Sequence, residues 1–276
     1  MTDGDAAAER ATFEVVSGDG YQTWLMRQSP VNAINPELLA HIDAAIRAVS
    51  ADDSVAAVVL ASDLRVFSAG ADAAWMARTV KEHGSTGLLE MFNETMDEFR
   101  RLCHELRRLP ALVIAAIDGH ALAGGLELAA ACDLRFSTDH AKVQFGAPEM
   151  DLFGAMPSGG GGAQFLARLL GPSRALDLIL DAKPIPPSRA LEIGLVDRVY
   201  PAGTVRQQAE SFAAEVANKA GRIGVTAAKR AIFGGHELPL GPALDLDRSL
   251  HWDAMRRGNF LPGVDAFVAK FGRSAS

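Results

Sequence analysis

One carboxylate, Glu127, lies inside an otherwise apolar Gly/Ala-rich run, residues 119–133, with the sequence GHALAGGLELAAACD. This run constrains the fold more than any other stretch, because a lone charge in apolar surroundings needs a physical reason. The preceding residues 111–118, ALVIAAID, are short, aliphatic and β-branched, and they lie between Pro110 and Gly119 as a buried strand would. Small residues follow, then Leu126, Leu128 and a run of alanines that suit a buried helix. The expected local structure is strand, glycine-rich turn, helix, with Gly124 and Gly125 at the helix start, where a bare backbone lets a ligand come close. Unpaired N–H groups at such a helix start favour negative charge, and Glu127 falls within the first turn. Two readings stand open at this point: a site that stabilises a developing oxyanion, or close packing with a carboxylate as an ordinary dipole partner.

Composition narrows the function classes. A chain of 276 residues with 49% hydrophobic and 22% charged content can bury a substantial core, as one large domain or one and a half. Its net charge of -7 argues against a nucleic-acid surface. Cys103 and Cys132 show no pairing pattern, so a reduced compartment is the default and buried packing their expected role. Residues 1–11 begin polar and acidic, lack an apolar signal core and are expected to form a disordered arm. No run approaches the ~18 apolar residues of a membrane helix, so a cytoplasmic protein without a membrane partner is expected.

Along the chain, residues 12–17 and 21–27 read as strands joined by the hairpin signal Gly18-Asp19-Gly20. Asn35 caps and Pro36 opens a helix whose Leu38, Leu39, Ile42, Ile46 and Val49 share a face. A buried strand at 55–61 precedes a loop of small residues, 67–72 (FSAGAD), whose Gly70 can turn the N–H of Ala71 into a cavity. Residues 73–85 read as a mobile connection. Residues 88–109 read as a helix with Phe92, Met96, Phe99, Leu102, Cys103, Leu106 and Leu109 as its core-facing stripe. Strands at 132–137 and 143–145 precede a second acid, Glu149, beside Pro148. The glycines of 154–162 lead into a helix ending at Gly171-Pro172, and without a Gly-Lys-Ser/Thr ending they match a phosphate loop only weakly. Short helices at 173–180 and 187–193, a strand at 194–200 and mostly helical residues 205–276, with breaks near 221 and from 234 to 242, complete the chain. Early alternation and late helices give an α/β class, with a core of residues 12–200 and a helical C-terminal region of 201–276.

Chemistry-bearing patterns are few. There is no Gly-x-Ser-x-Gly elbow, and the seven histidines lack metal-ligand spacing. His120 is expected to cap backbone or to pack, and His251-Trp252 to serve core or interface. What remains is Glu127 and Glu149, each at the edge of a buried element, with two glycine turns that can present N–H donors. Such a set can share acid and base work on a water and a carbon centre.

Five motifs sharpen this reading: Asn32-Ala-Ile-Asn35, Phe67-Ser-Ala-Gly-Ala-Asp72, Gly119-His-Ala-Leu-Ala-Gly-Gly-Leu-Glu-Leu-Ala129 with Cys132-Asp133, Phe145-Gly-Ala-Pro-Glu149 and Gly194-Leu-Val-Asp-Arg-Val199. With them, in family order over most of residues 12–270, the sequence resembles the crotonase superfamily, also called the enoyl-CoA hydratase/isomerase family. The resemblance implies a crotonase-like spiral of ββα units followed by a helical trimerisation region, in a homotrimer or dimer of trimers. It implies an oxyanion hole from the N–H groups of Ala71 and Gly124, substrate-binding positions at Ala69, Gly70, Asp72 and Gly125, and catalytic Glu127 and Glu149. The implied reaction is syn addition of water to a trans-2-enoyl-CoA, with Glu127 as base towards the water and Glu149 positioning it and delivering a proton to Cα. Coenzyme A enters only as part of the thioester substrate, with no further cofactor and no metal.

In family members the region holding Trp75, Met76, Leu88, Met91 and Phe92 covers the acyl chain, and the part holding Phe260 can close the site. The sequence departs from the family pattern at Pro157-Ser158 with four following glycines, in a longer 133–145 segment, and at Asp151, where an apolar residue is usual. Other reactions of the same scaffold are Δ3,Δ2-enoyl-CoA isomerisation, decarboxylation and thioester hydrolysis; a non-catalytic acyl-CoA-binding subunit is a further alternative. Isomerases of the family commonly rely on the second acidic position alone, so glutamates at both favour the hydratase.

Overall fold

The hairpin forms as the glycines direct, with β1 (Phe13–Ser17) and β2 (Tyr21–Met26) pairing antiparallel. The computed structural model describes residues 11–271 except 155, 157 and 259, so the expected arm lies, but for its last residue, outside the described residues, as does Pro157. Asn35 accepts the Leu38 N–H at 3.0 Å and Pro36 opens α1 (Pro36–Ala51), which is how a capping side chain starts a helix. The chain then follows one path three times. It runs through β3 (Ala57–Ser62), β4 (Val66–Ser68) and α2 (Ala73–Arg108), then β5 (Leu112–Ile117), β6 (His120–Leu122) and α3 (Gly124–Ala131). The third pass is β7 (Leu134–Thr138), β8 (Phe145–Gly146) and α4 (Glu149–Phe153).

The first strand of each pass joins a six-stranded sheet, β1-β2-β3-β5-β7-β9, whose last strand is β9 (Arg198–Tyr200); the second joins a small sheet, β4-β6-β8. Strands of the small sheet are parallel and nearly in register, Val66 beside His120 and Ala121 beside Phe145. The loops leaving their C-terminal ends therefore emerge on one edge, and that edge carries the site.

The large sheet is covered on both faces. Val58, Leu60, Val113, Ala115 and Ile117 face a core shared with α1, α2 and α3, while Val59, Ile114 and Phe136 face Val205, Ala209 and Ala213 of α8 (Val205–Lys229). A strand buried on both faces reads as a continuous apolar run, as β3 and β5 do. At the end of α8, Lys229 lies 2.7 Å from the Asp133 carboxylate and donates to the Leu106 and Ala111 carbonyls, each at 3.0 Å. Asp133 also accepts the Val113 N–H at 2.8 Å, so one buried ion pair ties α8 to α2, β5 and the end of α3. Between β8 and β9 run α5 (Gly162–Leu170), α6 (Pro172–Asp181) and α7 (Pro187–Glu192). Beyond α8 come a π-helical turn (Arg230–Gly234), α9 (Leu240–Arg257) and α10 (Phe260–Phe271).

Three local expectations change. Residues 73–85 are helix rather than a mobile connection, because Asp72 caps α2 through the Trp75 N–H at 2.9 Å and the break is confined to Gly84, at φ 71°. The strand expected at 194–200 shrinks to β9, since Gly194 turns at φ 83°. The turn expected at 119–123 contains β6, a strand of three residues and so too short to show a period-2 pattern.

Candidate active site

Two glycine turns meet at the edge of the small sheet. After β4, Ile34 donates to the Gly70 carbonyl at 2.7 Å and accepts from Asp72 N–H at 3.2 Å. That parallel bridge leaves the N–H of Ala71 turned away from Ile34 and, among the described residues, without an acceptor. Gly70 has φ 89°, and a Cβ there would stand 2.6 Å from the Ala123 Cβ and 2.9 Å from the Gly124 nitrogen. After β6, Ala123 takes a left-handed φ of 51°, rare for a residue with a side chain, and swings the chain into α3. As first residue of that helix, Gly124 has no acceptor for its N–H among the described residues. Two unpaired donors, from Ala71 and Gly124, thus border one cavity of about 290 Å³, whose wall also holds Ala69, Glu127 and Glu149.

The other expected positions shape that wall from behind. Gly125 packs so closely on β4 that a Cβ would stand 2.2 Å from the Ser68 carbonyl oxygen. Asp72 spends its carboxylate on the Trp75 N–H and, at 2.8 Å, on the Asn35 amide. Burial pushes this carboxyl up, but those hydrogen bonds outweigh it and hold it below its ordinary value. Gly70, Asp72 and Gly125 are not on the cavity wall.

Glu127 is 4% exposed, and the glycine-rich stretch after α4 supplies its partners. Gly159 N–H donates to Oε1 at 3.0 Å and Gly162 N–H to Oε2 at 2.8 Å. Side chains at these positions would collide: a Cβ on Gly162 would lie 2.5 Å from Glu127 Cγ, and one on Gly160 2.2 Å from the Phe99 ring. The glycines that match a phosphate loop so poorly are a cradle for a protein carboxylate. Burial raises the Glu127 pKa, and the N–H groups of Gly159, Gly162 and Gly160 oppose that rise.

Glu149 opens α4 directly after β8, is likewise 4% exposed, and has an Oε2 with no hydrogen-bond partner among the described residues. Its pKa is pushed up to about 7, mainly by burial, with the neighbouring Glu127 charge adding to the rise. Two buried carboxyls facing one cavity do not both ionise readily near neutral pH. Glu127, with N–H donors on both oxygens, is the better place for a charge, and Glu149, whose Oε2 has no partner among the described residues, the better place for a proton.

The apolar part of the wall comes from Phe92, Met96 and Phe99 of α2 and from Leu152, Phe153 and Met156. Of the residues in the region that covers the acyl chain in family members, Phe92 is there; Trp75, Met76, Leu88 and Met91 are not on this wall, nor is Phe260 of the part that can close the site. Met96 and Phe99 belong to the stripe read as core, and periodicity alone cannot separate a core face from a cavity face. Asp151 is exposed and off the wall. His120 caps backbone, its Nδ1 accepting Gln144 N–H at 3.2 Å. Cys103 and Cys132 are buried, and burial pushes both thiols up, Cys132 to about 12, as befits packing rather than nucleophilic roles. Among the described residues no group of three or more His, Cys, Asp or Glu could hold a metal ion, and no helix is long and apolar enough to cross a membrane.

Comparison with known proteins gives consistent findings. A family model described as enoyl-CoA hydratase/isomerase matches residues 22–273. A protein of Mycobacterium leprae named probable enoyl-CoA hydratase is 32% identical over 262 residues, covering 94% of this chain and 96% of its own length. Another of that name from Rhizobium meliloti is 34% identical over 246 residues, covering 89% and 90%. The crystal structure of an enoyl-CoA hydratase from Geobacillus kaustophilus HTA426 superposes with a TM-score of 0.85 at 32% identity, over 95% of this chain and 96% of that one.

Proposed function

Because the chain belongs to the enoyl-CoA hydratase/isomerase family and has the crotonase fold with a helical C-terminal region, we propose that it hydrates a trans-2-enoyl-CoA by syn addition of water. The observation that carries this reading is the pair of buried carboxyls in unlike environments on the same wall as two unpaired N–H donors. In the reading, the thioester oxygen lies against the N–H groups of Ala71 and Gly124, the α3 dipole adding to its stabilisation. Water attacks Cβ and gives a proton to Glu127, electron density moves onto the thioester oxygen, and the proton of Glu149 passes to Cα. One new C–O and one new C–H bond replace the C=C π bond, and a proton returns from Glu127 to Glu149. Ala69 contributes to the wall, and Gly70, Asp72 and Gly125 hold its two donor turns in place. The reading calls for no metal and no cofactor beyond the coenzyme A of the substrate.

We extend the reading to assembly, as a homotrimer or dimer of trimers. Exposed apolar side chains on the last two helices, among them Leu244, Trp252, Leu261 and Phe267, support a partner there, since monomers rarely leave such patches open. A cytoplasmic location fits the bacterial relatives.

The test is loss of the conjugated enoyl-thioester absorbance with short, medium and long trans-2-enoyl-CoA. The expected result is rapid loss with at least one chain length; tight binding without any loss would reject hydration.

A further inference from the structure

The contacts that hold Glu127 extend one residue beyond its glycine cradle. Arg100 of α2 donates its Nε–H to the Gly159 carbonyl at 3.2 Å, and Gly159 is the residue whose N–H reaches Glu127 Oε1. The same guanidinium pairs with Asp97, one turn earlier on α2. Its stem lies along the loop, so that a Cβ on Gly161, itself at φ 95°, would stand 3.5 Å from Arg100 Cγ. We propose that Arg100 is a positioning residue for the hydration reaction, clamping the glycine loop so that its N–H groups stay on Glu127 and keep that base ionised. The inference rests on the reading of Glu127 as the base.

Four consecutive glycines, 159–162, have more backbone freedom to lose than any other sequence of that length, so a cradle built from them needs an external hold. Phe99 and Met96 press on Gly160 and Gly159 from the same helix, and Arg100 supplies the hydrogen bond beside them. A donor on the Gly159 carbonyl also polarises the peptide it belongs to, whose N–H is that of Gly160, another group facing Glu127, and hydrogen bonds in such a chain strengthen one another.

Few charged groups face Glu127. Arg100 comes from α2 with Asp97 as its partner, and Glu149 comes from α4. The Cys103 thiol of α2 stays protonated through burial, and glycines 159–162 add no titratable side chain. Arg100 is the cation of this set and favours the ionised form of Glu127.

The experiment compares Arg100→Gln and Arg100→Lys with wild type in hydration kinetics across pH, alongside the Glu127 carboxyl titration followed by infrared spectroscopy in the free protein. Arg100→Gln should lower kcat about three- to tenfold with KM changed less than twofold, as for one hydrogen bond lost behind a base. The acid limb of the profile and the Glu127 titration should both move to higher pH, by up to about one unit given the half-exposed guanidinium. Arg100→Lys, which keeps the charge, should restore most of the pH shift. Unchanged kcat and unchanged titration in Arg100→Gln would overturn the inference, as would a lower melting temperature with an unmoved pH profile. If Glu127→Gln retains wild-type turnover, it is the base assignment that fails, and the infrared titration still decides whether Arg100 holds this carboxyl.

Discussion

Gly124→Val should yield a folded protein that hydrates enoyl-CoA at least ~10²-fold more slowly than wild type, the loss expected when one preorganised N–H donor no longer reaches its oxyanion. The added side chain meets the tip of Ile34 first, at 2.8 Å from Cδ1, and then Phe99 at 3.4 Å. A flexible side-chain end can move, so the cost in stability should be about 1–2 kcal/mol. The branched side chain nevertheless sits on the wall beside the two donors and keeps the thioester oxygen away. Its neighbour behaves oppositely: Gly125→Ala pushes a Cβ against the Ser68 carbonyl of β4, which is backbone and cannot swing aside. That variant should lose about 3 kcal/mol or more, or fail to fold. Turnover and thermal melts of the pair check the contrast. Wild-type turnover in Gly124→Val would remove the donor pair from the mechanism.

Glu127→Gln and Glu149→Gln should each lower turnover by roughly 10²- to 10⁴-fold, the contribution of a placed base or acid. Their effects on stability should differ. Folding raises the Glu149 carboxyl from its ordinary 4.5 to about 7, so its protonated form is the one the fold prefers. That preference is fully present below pH 4.5 and is lost as pH rises through 7, above which the buried carboxyl carries a charge. Glu149→Gln should therefore be more stable than wild type above pH 7, by up to about 3 kcal/mol, with the difference gone in acid. Glu127→Gln leaves an amide whose N–H₂ group faces the N–H groups of Gly159 or Gly162, donor against donor, and should destabilise by about 1–3 kcal/mol. Denaturant titrations at acid and alkaline pH read both signs. Equal pH dependence of stability in wild type and Glu149→Gln would contradict the raised carboxyl.

Much of the scaffold is legible because its signals are local. Asn35-Pro36, Gly18-Asp19-Gly20 and the apolar runs of β3 and β5 each act through neighbours in the chain, and the elements stand where those signals put them. Glu127 stands out for the same reason, as a charge in an apolar run. What supports it is not local: Gly159 and Gly162 are 32 and 35 residues away, and only the third pass of the spiral brings them back. Of the small sheet, only β8 has a counterpart in the strand expected at 143–145; β4 and β6 escaped because strands of three residues carry no period. Helix 73–83 escaped because its cap, Asp72, closes the FSAGAD motif and Gly84 interrupts the pattern twelve residues after that cap. Met96 and Phe99 show a limit of periodicity itself, for one helical face lines the core along most of its length and the cavity where it passes α3.

The measurement that tests the central claim most directly is the mass of the product formed by the wild-type protein from trans-2-enoyl-CoA in ¹⁸O-labelled water. Hydration by the two glutamates requires a product that remains a CoA thioester and carries one ¹⁸O at Cβ. An unlabelled isomer of the substrate, or free coenzyme A with the label in a released carboxylate, would contradict it.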